Sequence, residues 1–189
     1  MSQEKKPVVA LPIGDPAGIG PEMSVATMME KSVYDECKPF LIGSAPIIAR
    51  AMKIMGCDFP INKISHPQEA RFNWGTVDVL ETGEYDCESI EWGKVQKLAG
   101  QMSLDYVLKS IELGKAGLID VVSTAPIHKE AIKLAGCKLP GHTEIYQVET
   151  QSDYGLTMFH VHTLRVFFVS RHMALKDACD YANKERVLA

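Results

Sequence analysis

The 189-residue sequence lacks the features that would tie a chain to a membrane, a polyanion or an oxidising compartment. Its apolar run ahead of Gly14 is about six residues long, too short for the core of a signal peptide and far too short to cross a bilayer. The expected location is cytoplasmic, with no membrane partner. Positive charge is not in excess either: 20 Lys and Arg stand against 24 Asp and Glu, a formal net charge of −4. That leaves no basic field for nucleic acid. The five cysteines (Cys37, Cys57, Cys87, Cys137 and Cys179) are odd in number, scattered and free of any C-x-x-C spacing. They fit neither a disulfide framework nor a zinc knuckle, and read as reduced structural thiols. Internal repeats, low-complexity tracts and long linkers are also missing.

What is present is an apolar content of 46%, enough for one good core or two small lobes that share one. Short β-rich runs alternate with helical patterns. "PVVALPI" (7–13), "KPFLIG" (38–43) and "VDVLE" (77–81) read as strands, with helices over 21–31 and across "APIIARAMKIMG" (45–56). Leu104, Val107, Leu108 and Ile111 fall at i, i+3, i+4 and i+7 of a further helix, closed by Gly114 or Gly117. "LIDVVST" (118–124) follows as a strand and "KEAIKLAG" as a short helix. "GLTMFHVHTLRVFFVS" (155–170) predicts two strands joined near 162–164, and the last run, from Ala174, predicts a helix. "SHPQEARFNWG" (65–75) is loop-like. The expected fold class is α/β, with a possible pair of lobes divided near 65–92 or 120–140.

Three stretches carry chemistry. The first, "LPIGDPAGIGPEM", places Gly14, Asp15, Gly18 and Gly20 at the carboxyl end of the first strand, where open α/β sheets bind ligands. Its G-x-x-x-G-x-G spacing is neither the dinucleotide fingerprint nor a P-loop. Glu22 in the following first turn already occupies the positive end of the helix dipole, which argues against a bound phosphate. The alternatives are a plain tight turn and a backbone-shaped wall of a ligand cleft.

The second, "STAPIHKEAIKLAGCKLPGHTEIY", gathers Ser123, Thr124, His128, Lys129, His142, Thr143 and Glu144 within 22 positions. Gly141 allows a backbone conformation that projects the His142 imidazole, and Thr143 adds a neutral donor and acceptor suited to a hydroxylated substrate. Lys129 is either a point charge for a carboxylate or phosphate, or a solvated helix residue. Any single histidine here reads equally as a surface residue. The third, "VSRHMALKDA", sets His172 at a strand end as a candidate divalent-metal ligand, while His160 and His162 form an i, i+2 pair that is weak evidence for metal.

"GDPAGIGPE", "STAPIHKEAIKLAG", "LPGHTE" and "VSRHMALKDA", in this order, resemble the 4-hydroxythreonine-4-phosphate dehydrogenase (PdxA) family of pyridoxal phosphate biosynthesis, from about Val8 onward. The glycine-rich loop alone also resembles that of the isocitrate and isopropylmalate dehydrogenases, whose two-lobed α/β/α fold the family shares. "WGKVQKLAGQ", "SDYGL" and "HMALKD" look closer to the branch that oxidises 4-phospho-D-threonate and 4-phospho-D-erythronate.

The resemblance implies an NAD- or NADP-dependent enzyme that uses a divalent metal (Zn, Mg, Mn or Co). Its reaction is oxidation of the C3 hydroxyl of a small 4-phosphorylated acid, after which the β-keto acid can lose CO2. By motif, His142 and Thr143 would bind substrate and His172 would be one metal ligand of a homodimer. Family members are longer, so the resemblance implies an amino-terminal portion with the other ligands elsewhere. Strands that pair with a further part would then leave open edges and exposed apolar faces. Two other readings remain beside it: a non-catalytic small-molecule binding or oligomerisation module, and a metal-dependent hydrolase built on His160, His162 and His172.

Overall fold

A computed structural model describes residues 5–171 and 173–188, which form two compact units divided after Thr150. The first unit is built on five parallel strands: β1 (Val8–Pro12), β2 (Lys38–Gly43), β3 (Ile61–Ile64), β4 (Val77–Glu81) and β5 (Val121–Val122). Their order is β3-β4-β2-β1-β5. The central strands β2 and β4 are buried on both faces, as expected where helices cover both sides of a parallel sheet, and the one buried charge among them, Asp78 of β4, accepts hydrogen bonds from Asn62 Nδ2 and Phe72 N–H. Phe40, Leu41, Ile42, Val79 and Leu80 are all fully buried there.

The chain steps outward from β1 through α1 (Gly20–Met29) and α2 (Lys31–Glu36) to β2, then through α3 (Ala45–Met55) to β3. After β4 it reverses direction, passing through α4 (Lys97–Lys115) to β5 on the far side of β1. Right-handed crossovers therefore place α1 and α3 on one face and α4 on the other. The packing agrees, since α1 lies against α2 and α3 while α4 lies against β1, β2, α5 (Lys129–Leu134) and α6 (His142–Glu149). Val107, Ile111, Ile132 and Ile145 close a small separate core among these last three helices.

The reversal has a functional consequence. Strand order turns around between β1 and β5, so their carboxyl ends flank the point where open α/β sheets form ligand crevices.

Several sequence expectations need correction. The strand expected over 118–124 contracts to β5, although Asp120, Ser123 and Ala125 still donate their amides to Val8, Ala10 and Pro12 of β1. The helix expected over 21–31 stops at Met29 and a second begins at Lys31, with the extended Glu30 between them and its carboxylate accepting from Ser32 N–H. Besides α2, two elements were not foreseen: β3, which has only four residues, and α6, whose first turn is polar. Gly117, at φ 68, lies two residues past the end of α4. Both ranges in which the sequence suggests a lobe boundary, 65–92 and 120–140, lie inside the first unit.

The second unit holds an antiparallel hairpin of β6 (Met158–Val161) and β7 (Leu164–Phe167), followed by α7 (Leu175–Tyr181) and α8 (Lys184–Leu188). The expected single terminal helix is thus broken at 182–183. Every residue of the hairpin strands is exposed, including Phe159, Val161, Leu164 and Phe167. Among the described residues no helix is long and apolar enough to cross a membrane.

Candidate active site

The loop after β1 and the loop after β5 are joined backbone to backbone. The Asp15 amide donates to the Pro126 carbonyl at 3.0 Å, and a Cβ on Gly14, which has φ 71, would stand 2.2 Å from that same oxygen. Only glycine permits this contact and this conformation together. Gly20 is required for a second reason: a Cβ there would meet the Ile13 carbonyl oxygen at 2.2 Å, so the head of α1 can seat on the end of β1. Gly18 is exposed and has ordinary space around it.

Three of the loop's own amides are already committed. Ala17 N–H donates to Asp15 Oδ1 at 2.8 Å, Gly18 N–H to the Asp15 carbonyl at 3.0 Å, and Asp15 N–H to Pro126. A phosphate cradle needs such donors free, and these three are not. The buried Asp15 carboxylate serves the loop itself.

Arg50 of α3 fastens the loop from the other side. Its guanidinium donates to the Pro16 carbonyl and to the Ile90 carbonyl, each at 3.0 Å, and lies 4.5 Å from the centre of the Trp92 ring. Gly93 N–H completes the link by donating to the Ala17 carbonyl at 2.8 Å. Sequence reasoning missed Arg50. Its signal was a lone charge in the apolar run "APIIARAM".

The second motif divides into separate roles. His128 caps α5, its Nδ1 accepting from Ala131 N–H at 3.3 Å, while Ser123 and Thr124 are exposed. Lys129, the first residue of α5, lines a groove of about 580 Å3 together with Lys133, Lys138 and Pro140. Its Cε lies 3.8 Å from where a Gly141 Cβ would stand, so the heads of α5 and α6 are adjacent. His142 and Thr143 open α6, both half-buried. Burial pushes the His142 imidazole below its ordinary pKa.

Gly14, Asp15 and Gly20 thus meet the segment that follows β5, and Lys129, three residues past Pro126, lies beside Gly141, which precedes His142 and Thr143. No group of three or more His, Cys, Asp or Glu among the described residues could hold an ion, and His172 lies outside the described residues. His160 and His162 are exposed on the hairpin of the other unit, His162 with φ 52.

Comparison with known proteins adds the following. The family described as pyridoxal phosphate biosynthetic protein PdxA matches residues 35–189. A provisionally named D-threonate 4-phosphate dehydrogenase of Clostridium botulinum is 43% identical over 183 residues, covering 97% of this chain and 55% of the relative. The crystal structure of a 4-hydroxythreonine-4-phosphate dehydrogenase from Burkholderia phymatum superposes with a TM-score of 0.91 at 34% identity, over 97% of this chain and 56% of that one. The corresponding enzyme from Klebsiella pneumoniae gives 0.86 at 30% identity, over 98% and 56%. The chain thus spans about half the length of the relatives it matches.

Proposed function

Because the chain belongs to the PdxA family, we propose that it forms part of a nicotinamide-dependent dehydrogenase that oxidises the C3 hydroxyl of a small 4-phosphorylated hydroxy acid. The substrate class is 4-phospho-D-threonate, 4-phospho-D-erythronate or 4-phosphohydroxy-L-threonine, the first favoured by the name of the 43% identical relative. Loss of CO2 from the β-keto acid is the following step, and the working assembly is a homodimer.

What supports this reading is the backbone contact of the first loop with Pro126 at the switch point of the sheet, three residues ahead of Lys129, whose Cε lies beside Gly141 and so next in the chain to the His142–Thr143 pair. Lys129 supplies a point charge for the phosphate or carboxylate. Thr143 offers a hydroxyl that both donates and accepts, and His142, whose pKa burial lowers, offers its imidazole beside it. The rigid backbone of the first loop walls the site and excludes water without binding phosphate. No group of three or more His, Cys, Asp or Glu among the described residues could hold the metal, so the role of this chain in the proposal is to bind and orient the acid.

The test is NAD+ or NADP+ reduction by the purified chain, with each of the three acids and with Mg2+, Mn2+, Zn2+ or Co2+. Turnover with one acid, lost in His142→Ala, supports the proposal. A folded chain that neither turns over nor binds any of the acids contradicts it.

A further inference from the structure

We infer that Tyr146 is a positioning residue for His142, fixing the imidazole at the head of α6 because its own ring is locked to Ser110 of α4. The inference rests on the reading that His142 faces the ligand.

Ser110 is buried in α4, and its hydroxyl donates to the Val107 carbonyl at 2.6 Å. A serine hydroxyl has a single proton. In the 2.8 Å contact between Ser110 Oγ and the Tyr146 hydroxyl, the phenol is therefore the donor. That bond commits the Tyr146 O–H and pins its ring between two helices.

His142 lies four residues earlier, on the same face of α6. The two rings stack with centroids 6.4 Å apart and planes inclined by 28°, within the range of offset aromatic pairs.

Among the described residues, neither the Gly141 backbone nor a hydrogen bond to Nε2 sets the imidazole. The sequence suggests that the conformational freedom of Gly141 projects it, yet Gly141 is extended, with φ 174, and a Cβ would find only ordinary contacts with Lys129 Cε at 3.8 Å and Glu144 Oε2 at 3.9 Å. His142 Nε2 is shut from solvent with no hydrogen-bond partner among the described residues. The stacked ring of Tyr146 is what remains to hold it. Lys129 and Glu144 flank the head of α6 as the charged groups, and Ser110 and Tyr146 are the polar groups at the α4 junction.

The experiment follows the His142 imidazole by NMR through a pH titration of the intact chain, with His142→Gln to assign the signal. Tyr146→Phe keeps the ring but removes the donor, and Ser110→Ala removes the acceptor while leaving the tyrosine in place. Both variants are expected to raise the His142 midpoint by about half a pH unit toward the ordinary histidine value, as water reaches a loosened ring. A melting temperature that falls while the His142 midpoint stays fixed in both variants would overturn the inference, because Tyr146 would then only dock α6 onto α4. A separate arm measures 4-phospho-D-threonate affinity in His142→Ala: no loss there removes the ligand-facing reading of His142, and the titration still decides what Tyr146 does.

Discussion

Gly14 and Pro126 are in backbone contact so close that a single added carbon on Gly14 would stand 2.2 Å from the Pro126 carbonyl oxygen. This contact welds the loop after β1 to the loop after β5 and makes the first wall of the candidate site a rigid one. Gly14→Ala combines this overlap with a left-handed φ, and is expected to cost about 3 kcal/mol or more. Gly18→Ala, four residues on, is expected to change stability by less than about 0.5 kcal/mol. Urea unfolding of the two variants measures the difference, and equal costs would show that the weld is not what the loop requires.

Gly100 reverses an ordinary rule. Alanine normally stabilises a helix interior over glycine by about 0.5–1 kcal/mol. A Cβ at Gly100 of α4, however, would meet the Ala131 carbonyl oxygen of α5 at 2.0 Å. Gly100→Ala is therefore expected to destabilise, whereas Gly114→Ala in the same helix, with nothing within 4 Å, is expected to stabilise. Thermal melts that move both variants in the same direction would refute the close packing of α4 on α5.

Arg50 ties the first loop to the segment that carries Ile90 and Trp92. Arg50→Lys keeps the charge but loses the planar fork, and is expected to cost about 1–2 kcal/mol. In a Trp74→Phe background, Trp92 fluorescence should shift to the red in Arg50→Ala as the ring loses its cover. An unchanged spectrum would mean that the guanidinium does not hold the ring.

His142 gives the chain an acid sensitivity. Burial lowers its pKa in the folded state, so the unfolded chain, at the ordinary value of 6.5, takes up the proton first. The contribution of neutral His142 is complete above about pH 6.5 and is lost as pH falls from there to the folded value, below which the loss levels off. His142→Gln should therefore lose less stability than the parent chain between neutral and mildly acidic pH. A parallel fall in the two proteins would place the sensitivity elsewhere.

Most of the first unit was legible in the sequence because its strands are long apolar runs with clear punctuation. β2 and β4 occupy the ranges expected, and Gly117, with its left-handed φ, lies just past the end of α4. β3 escaped because "INKI" has only four residues and two of them are polar. α6 escaped because His142, Thr143 and Glu144 drew attention as chemistry before they were read as a helix start; with the helix recognised, the spacing of His142 and Tyr146 would have shown the stacked pair. The contacts of Gly14 with Pro126 and of Arg50 with Pro16 join positions far apart in the chain, and no local pattern carries them.

The most direct test of the account is amide chemical-shift mapping of the isotope-labelled chain as 4-phospho-D-threonate is added. The account predicts perturbations confined to residues 13–20, 123–129 and 141–146, weakened together in His142→Ala. Perturbations at the opposite, amino edge of the sheet, or none at any concentration in a folded chain, would contradict it.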